Sequence, residues 1–501
     1  MSRPVREAGV LLHPTSLPSR YGIGDLGPAS DTFLDWAASA GLRLWQVLPL
    51  VPPGAHDSPY AGLSAFAGNP LLVSPEWLLE EGLLPAGALE NAPDFPEDRV
   101  DFEAVRPFRR RLLSASFDHA RSVGSSVTDA VRRFEEAPVQ ATWLPDWALF
   151  AALREAHGGA SWTSWEPALV AREEKALEEA RATHAEAIAR HVYEQFLFFR
   201  QWERVKRAAN ARGISILGDL PIYVALDSAD VWSQRRIFAI DAAGRPESVA
   251  GVPPDAFSDD GQLWGHPLYR WDVLAEESFD WWIERVRVNL RLADLVRLDH
   301  FRGFAAHWEV PAKAASAREG RWVPGPGLML FLAIRHALGD VAIVAEDLGE
   351  ITDDVRTLLA TLGLPGMKVL QFGFGEIDSE HLPHHHVTNS VVYTGTHDND
   401  TTLGWYFALP DWAQVRFRDY FGVDGRDPAG VLVRAAYASV ADRAVVPLQD
   451  VLALGSSARM NVPGRAHDNW TWRARKDAFR SEVAARLRHL AELTGRIAKS
   501  S

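Results

Sequence analysis

Three carboxylates each close an apolar, β-branched run: Asp299 in LVRLDHFRGF, Glu346 in VAIVAEDLGE and Asp398 in VVYTGTHDND. A strand that stays apolar to its last residue buries its body and presents only its C-terminal end, the end at which (β/α)8 barrels carry their chemistry. Three acids at one barrel mouth suit the cleavage of a glycosidic bond. That reaction passes through an oxocarbenium-like cation, so one carboxylate attacks or stabilises the anomeric carbon while a protonated second donates to the leaving oxygen. Arg297 lies two residues before Asp299 and therefore on the same face of its strand. Glu346 and Asp347 alternate to opposite faces, and their spacing alone does not say which is the acid. His397 and Asp398 are not half of a serine triad, because no GxSxG elbow accompanies them. Asp219 and Asp227 suggest a metal only weakly; Asp219, which follows a strand, suits support of the catalytic carboxylates better.

Positioning three such strands requires a parallel barrel. Strand-like runs fall at 9–12, 42–48, 214–218, 295–299, 342–346, 367–371, 390–394 and, least clearly, 444–446, which makes eight. Segments of helical periodicity, such as 281–292 and 327–337, separate most of them, and each interval between the acids holds one or two βαβ units of roughly 30 residues. The predicted architecture is α/β: a (β/α)8 TIM barrel forming one catalytic body over 1–501, with largely helical subdomains inserted at its C-terminal face. One insertion spans about 52–213, with helices at 108–121, 128–136, 146–157 and 172–211. Along the last of these Phe196, Phe199, Trp202 and Val205 recur at helical spacing, a stripe suited to packing on the barrel. A second insertion, about 219–294, carries GVPPDAFSDDGQLWGHPLYRW at 251–271, with prolines on one flank, glycines on the other and aromatic rings between. It reads as a lid.

Composition removes other classes. The formal net charge is −14 and no basic stripe is present, which argues against a nucleic-acid partner. The absence of cysteine excludes disulfides, thiolate metal sites and cysteine nucleophiles. No apolar run approaches the roughly 20 residues of a membrane span, and the N-terminus holds only the short run AGVLL, so a cytoplasmic location without membrane association is expected. Of the 19 tryptophans, well over half are expected in packing and the remainder are available for stacking on sugars.

Ten blocks then carry a resemblance: LLHPTSLPSRYGIGDLGP at 11–28, WQVLPL at 45–50, SPYAGLSAFAGNPLL at 58–72, QFLFFRQW at 195–202, GDLPIYVALDSADVW at 218–232, GVPPDAFSDDGQLWG at 251–265, VRLDHFRGF at 296–304, AEDLG at 345–349, TGTHDNDTTLGW at 394–405 and ARMNVPG at 458–464. Together they resemble the amylomaltases, the 4-alpha-glucanotransferases of glycoside hydrolase family 77 in the alpha-amylase clan. One departure is Asp468, which stands before Asn469-Trp470 where glycine is expected. The resemblance implies that Asp299 is a nucleophile, that Arg297 keeps it ionised, that Glu346 is the acid/base and that Asp398, with His397 beside it, grips the sugar in its distorted form. It further implies that Asp255, Phe257, Gln262 and Trp264 of the lid, with Ser58, Tyr60 and Asn461, line donor and acceptor subsites. Neither cofactor nor metal is implied. The implied partners are maltooligosaccharides, amylose, and starch- or glycogen-derived α-1,4-glucans, acted on by a monomer. A hydrolase of the alpha-amylase type using the same acids, and a non-catalytic glucan-binding protein, are the alternatives.

Overall fold

The computed structural model describes residues 6–254, 259–375 and 378–497. Twelve strands occur among them: β1 (Glu7–Leu11), β2 (Leu44–Gln46), β3 (Ser215–Leu220), β4 (Ser248–Val252), β5 (Gln262–Pro267), β6 (Leu295–Leu298), β7 (Ala306–Pro311), β8 (Arg321–Pro324), β9 (Ile343–Ala345), β10 (Gly366–Val369), β11 (Ser390–Tyr393) and β12 (Arg443–Pro447). Eight form one all-parallel sheet in the order β10-β11-β12-β1-β2-β3-β6-β9. Its two ends meet, because the Ala345 N–H at the end of β9 donates to the Pro365 carbonyl just before β10, at 2.9 Å. The protein is therefore a (β/α)8 barrel. All eight sequence-predicted strands are present, with ends that differ from the expected ones by one to a few residues.

The seam between β9 and β10 has its own chemistry. Asp347 turns outward from Glu346, accepts the Met367 N–H at 2.6 Å, and fills the space where a side chain on Gly366 would sit, with its Oδ2 2.3 Å from an ideal Cβ. Glycine is thus required by close approach rather than by a turn.

Between β2 and β3 the chain builds helices at Phe102–Val123, Ser125–Glu135, Leu144–Ala156, Glu174–Thr183 and Ala185–Ala211. The single helix predicted over 172–211 is two, broken at His184. The apolar stripe also divides its work. Trp202 packs on Trp45 of β2, with centroids 6.0 Å apart, and donates to the Leu292 carbonyl at 2.8 Å. Phe196 and Phe199 instead meet Phe134 of a neighbouring helix, so only the C-terminal part of the stripe faces the barrel.

Sequence reading missed a second sheet. β5, β4, β7 and β8 form an antiparallel sheet in that order, with a small apolar cluster of its own around Val249, Val310 and Ala317. The described flanks of the predicted lid are consequently strands β4 and β5 of a hairpin. Asp255 and Phe257 lie outside the described residues. Twelve of the 19 tryptophans are buried, in keeping with the packing role expected for most of them. Among the described residues, no helix is long and apolar enough to cross a membrane.

Candidate active site

Register brings the acids together. β3, β6 and β9 are successive barrel strands, with Asp219 paired to Arg297 and Leu298 paired to Ala345. The next residue along β6 is Asp299 and the next along β9 is Glu346. Neighbouring strands lie about 4.8 Å apart, so the two carboxylates are delivered side by side. Main-chain bonds extend the ladder past the strands: Asp299 N–H donates to the Leu220 carbonyl and Glu346 N–H to the Leu298 carbonyl, both at 3.0 Å.

Arg297 is buried and divides its guanidinium between two carboxylates. Its Nη1 lies 2.8 and 2.7 Å from the two oxygens of Asp219, and its Nη2 lies 2.9 Å from Asp299 Oδ1. Burial alone would depress its pKa; the attraction of Asp219 and Asp299 outweighs that and holds it well above the ordinary value. Tyr60 completes the line by donating to Asp219 Oδ2 at 2.7 Å. Burial first, and then the Asp219 charge, raise the Tyr60 hydroxyl far enough that it stays a donor.

Glu346 occupies a different environment. It is 8% exposed, and burial is the largest cause lifting its carboxyl to about 8, with the Asp299 charge adding to the rise. Arg297 and two backbone donors, His300 N–H at 2.6 Å and Leu348 N–H at 3.0 Å, pull the other way without overcoming burial. One strand end thus presents a carboxylate ion-paired to a guanidinium while its neighbour presents a carboxyl that is mainly protonated at pH 7. Asp347, by contrast, is committed to the β9–β10 seam. His300, between the two acids in the chain, takes a left-handed backbone with φ +50°, and its imidazole is held at about 4 by burial.

β11 delivers the third acid on the loop that follows it. Asp398 Oδ1 accepts from Asn461 Nδ2 at 2.6 Å and lies 3.4 Å from His397 Nε2. His397 stacks on Tyr60, with centroids 4.9 Å apart and planes 14° from parallel, which ties this loop to the Asp219–Arg297 line. Two residues here escaped sequence reading. Arg459 donates to the main-chain carbonyls of Asp398 and Asn461, at 2.6 and 2.7 Å; it stands in the ARMNVPG block, where only Asn461 was singled out. Trp470 packs against both Tyr60 and His397 with φ +63°, an uncommon conformation for a bulky residue. Asp468 is also left-handed, with φ +62°, which accounts for glycine being expected there, and its carboxylate pairs with Arg465 at 2.8 Å.

The remaining candidates divide. Trp264 on β5 lies edge-on to His300, with centroids 4.8 Å apart, and Gln262 accepts its indole N–H at 3.1 Å. Ser58 accepts the Tyr60 N–H at 3.2 Å and so caps the short turn that carries Tyr60. Asp227 is occupied by Arg154 and by the Trp162 N–H. Among the described residues, no cluster of three or more His, Asp or Glu side chains has metal-binding geometry.

Known proteins resemble this chain along nearly its whole length. The 4-alpha-glucanotransferase family, glycoside hydrolase family 77, matches residues 12–478. A 4-alpha-glucanotransferase of Thermus thermophilus is 49% identical over 98% of this chain and 99% of its own. A chloroplastic/amyloplastic 4-alpha-glucanotransferase of Solanum tuberosum is 46% identical over 93% of this chain and 82% of its own. The solved amylomaltase of Streptococcus agalactiae, in complex with acarbose, superposes with a TM-score of 0.95 at 36% identity, covering 98% of this chain and 100% of that one. With a matched span that takes in all three acids and relatives that align nearly end to end, this chain belongs to the 4-alpha-glucanotransferases of glycoside hydrolase family 77.

Proposed function

We propose that this chain transfers α-1,4-glucan segments from a donor to the 4-hydroxyl of glucose or another glucan by a retaining double displacement, with Asp299 as nucleophile, Glu346 as acid/base and Asp398 as stabiliser of the transition state. The observation that carries this assignment is the contrast between two adjacent carboxyls, Asp299 paired to Arg297 and Glu346 buried and lifted to about 8. Environments that push two acids apart in protonation assign their roles.

In the first step Asp299 attacks the anomeric carbon as Glu346 gives its proton to the departing glycosidic oxygen, leaving a β-glucosyl ester on Asp299. In the second, Glu346, now ionised, takes the proton of the acceptor 4-hydroxyl as that oxygen displaces Asp299 and restores the α-linkage. Placement on neighbouring strands about 4.8 Å apart favours the separation of about 5–5.5 Å that retaining enzymes use. Arg297 pairs with Asp299 and holds its carboxylate in place, and Asp219 with Tyr60 orients Arg297. Family membership favours transfer over hydrolysis.

Substrate binding belongs to the same proposal. His397 and Asp398 hold the sugar at the bond cleaved, and Gln262, Trp264, Ser58, Tyr60 and Asn461, with Asp255 and Phe257, line the flanking subsites. In domain terms we read a single catalytic barrel over 1–501 with insertions at about 52–213 and 219–294, the second carrying a lid at 251–271 that closes over the intermediate and excludes water. We place the protein in the cytoplasm as a monomer acting on maltooligosaccharides, amylose and starch- or glycogen-derived chains; a dimeric mass in light scattering of the purified protein, or its recovery outside the cytoplasmic fraction, would contradict that setting.

The test is maltotriose alone, with products resolved by chain length over time. Glucose appearing together with maltopentaose and longer chains is the expected result. Maltose and glucose alone would establish a hydrolase, and an unchanged trisaccharide would count for a protein that only binds glucan.

A further inference from the structure

We propose that Asp450 is a positioning residue that clamps the loop carrying His397 and Asp398; the inference rests on the reading of Asp398 as transition-state stabiliser. Asp450 lies in the short helix Leu448–Val451 directly after β12, the last barrel strand, and is 3% exposed. Its two oxygens reach both ends of the neighbouring strand's loop. At the start, Thr394 Oγ1, one residue past β11, donates to Asp450 Oδ2 at 2.5 Å. At the end, the Thr402 N–H donates to Oδ1 at 2.6 Å and its hydroxyl to Oδ2 at 2.7 Å. Both threonines are fully buried, so one carboxylate pins the two points between which residues 395–401 must run.

The span between those pins is organised around Asp398. Asn399 Oδ1 accepts from the Thr396 N–H and hydroxyl, at 2.8 and 2.9 Å, and the Asp398 N–H donates to Thr396 Oγ1 at 3.3 Å. Asn461 and Arg459 also hold Asp398, the first at its carboxylate and the second at its main-chain carbonyl. All three holding residues, Asp450, Arg459 and Asn461, belong to the chain that follows β12. The last barrel unit therefore fixes the acid delivered by the one before it.

The chemical type of the residue supports a functional reason. Asp450 is held by hydroxyl and amide donors rather than by a basic side chain, and Asp400 nearby is of like charge. A buried carboxylate without a counter-charge costs stability, and a neutral side chain would hold the fold at lower cost. What a carboxylate offers is acceptance of several donors at once by two rigidly related oxygens. Its role is mechanical, since it lies beneath the loop and Asp398 is what meets the sugar.

Asp450→Asn tests this, with Thr402→Val as a second variant that removes one donor while conserving shape. Each is assayed on maltotriose and on α-maltosyl fluoride, whose leaving group needs no proton from Glu346. A misplacement of about 1 Å costs on the order of 100-fold in rate, so kcat should fall about 10- to 100-fold on both donors in at least one folded variant, with little change in KM. In an Asp398→Asn background the same substitutions should cost less than about threefold more. An unchanged kcat in folded variants would overturn the proposal, as would an equal loss with and without the Asp398 carboxylate, or a loss confined to maltotriose. If Asp398→Asn alone left turnover intact, the role of Asp398 itself would fail, an outcome read separately from the clamp.

Discussion

In the proposed mechanism Glu346 sets the pH behaviour of the site. If its proton goes to the leaving group as proposed, kcat/KM on maltotriose should fall about tenfold per pH unit above about 8, whereas an activated fluoride donor should lose that limb in the glycosylation step. A maltotriose limb unchanged to pH 10 would remove Glu346 as the acid. The same shift has a stability consequence. The folded carboxyl binds its proton more tightly than the unfolded one, at about 8 against 4.5, so the fold is penalised progressively as pH rises from about 4.5 and fully above about 8. Glu346→Gln removes the penalty and should gain at least about 1 kcal/mol near pH 8, and little at pH 4; a stability gain that did not grow with pH would contradict the burial argument. Arg297 offers a geometric test at the same scale. Its planar fork holds Asp219 and Asp299 together, and a lysine ammonium cannot reproduce both contacts. Arg297→Lys should lower kcat/KM about 10- to 100-fold, the worth of one or two charge-assisted hydrogen bonds. Wild-type kinetics in that variant would mean that charge alone suffices.

Strands decide where the acids stand, and the strands were the legible part of the sequence. A parallel strand covered on both faces reads as a short apolar run, which is why LVRL, AIVA and SVVY were visible at once. β7 and β8, in AHWEVP and RWVP, mix polar and apolar residues over four to six positions, so the antiparallel sheet went unread. Within the site, the Arg297–Asp299 pair follows from the two-residue period of one strand. The Asp219–Arg297 contact depends on register between β3 and β6, and those of Arg459, Trp470 and Asp450 on loops meeting across the barrel mouth; no local period encodes either. The β9–β10 seam provides the test at this scale. A methyl at Gly366 would meet the Asp347 carboxylate, so Gly366→Ala should destabilise by about 1–3 kcal/mol, measured by chemical denaturation. A neutral result would show that Asp347 moves aside freely and that the barrel closes without it.

The whole molecule joins two kinds of order. The barrel is one continuous apolar core, which fixes Asp299, Glu346 and Asp219 on adjacent strand ends. Around its mouth, polar loops and the small antiparallel sheet supply what cannot be built from strand register: Asp398 held by Asn461, His397 stacked on Tyr60 and Trp264 beside His300. Such a division suits an enzyme that must hold two carboxyls in different surroundings on a rigid frame and leave its mouth to polar loops. The proposed double displacement requires Asp299 to become covalently glycosylated. The most direct measurement mixes Glu346→Gln with α-maltosyl fluoride, which forms the intermediate without an acid but leaves no base to activate an acceptor, and then locates the added mass in a peptide digest. A maltosyl increment on the peptide containing Asp299 is the predicted result. The same increment on another carboxylate, or fluoride release with inverted sugar and no adduct, would contradict the double displacement.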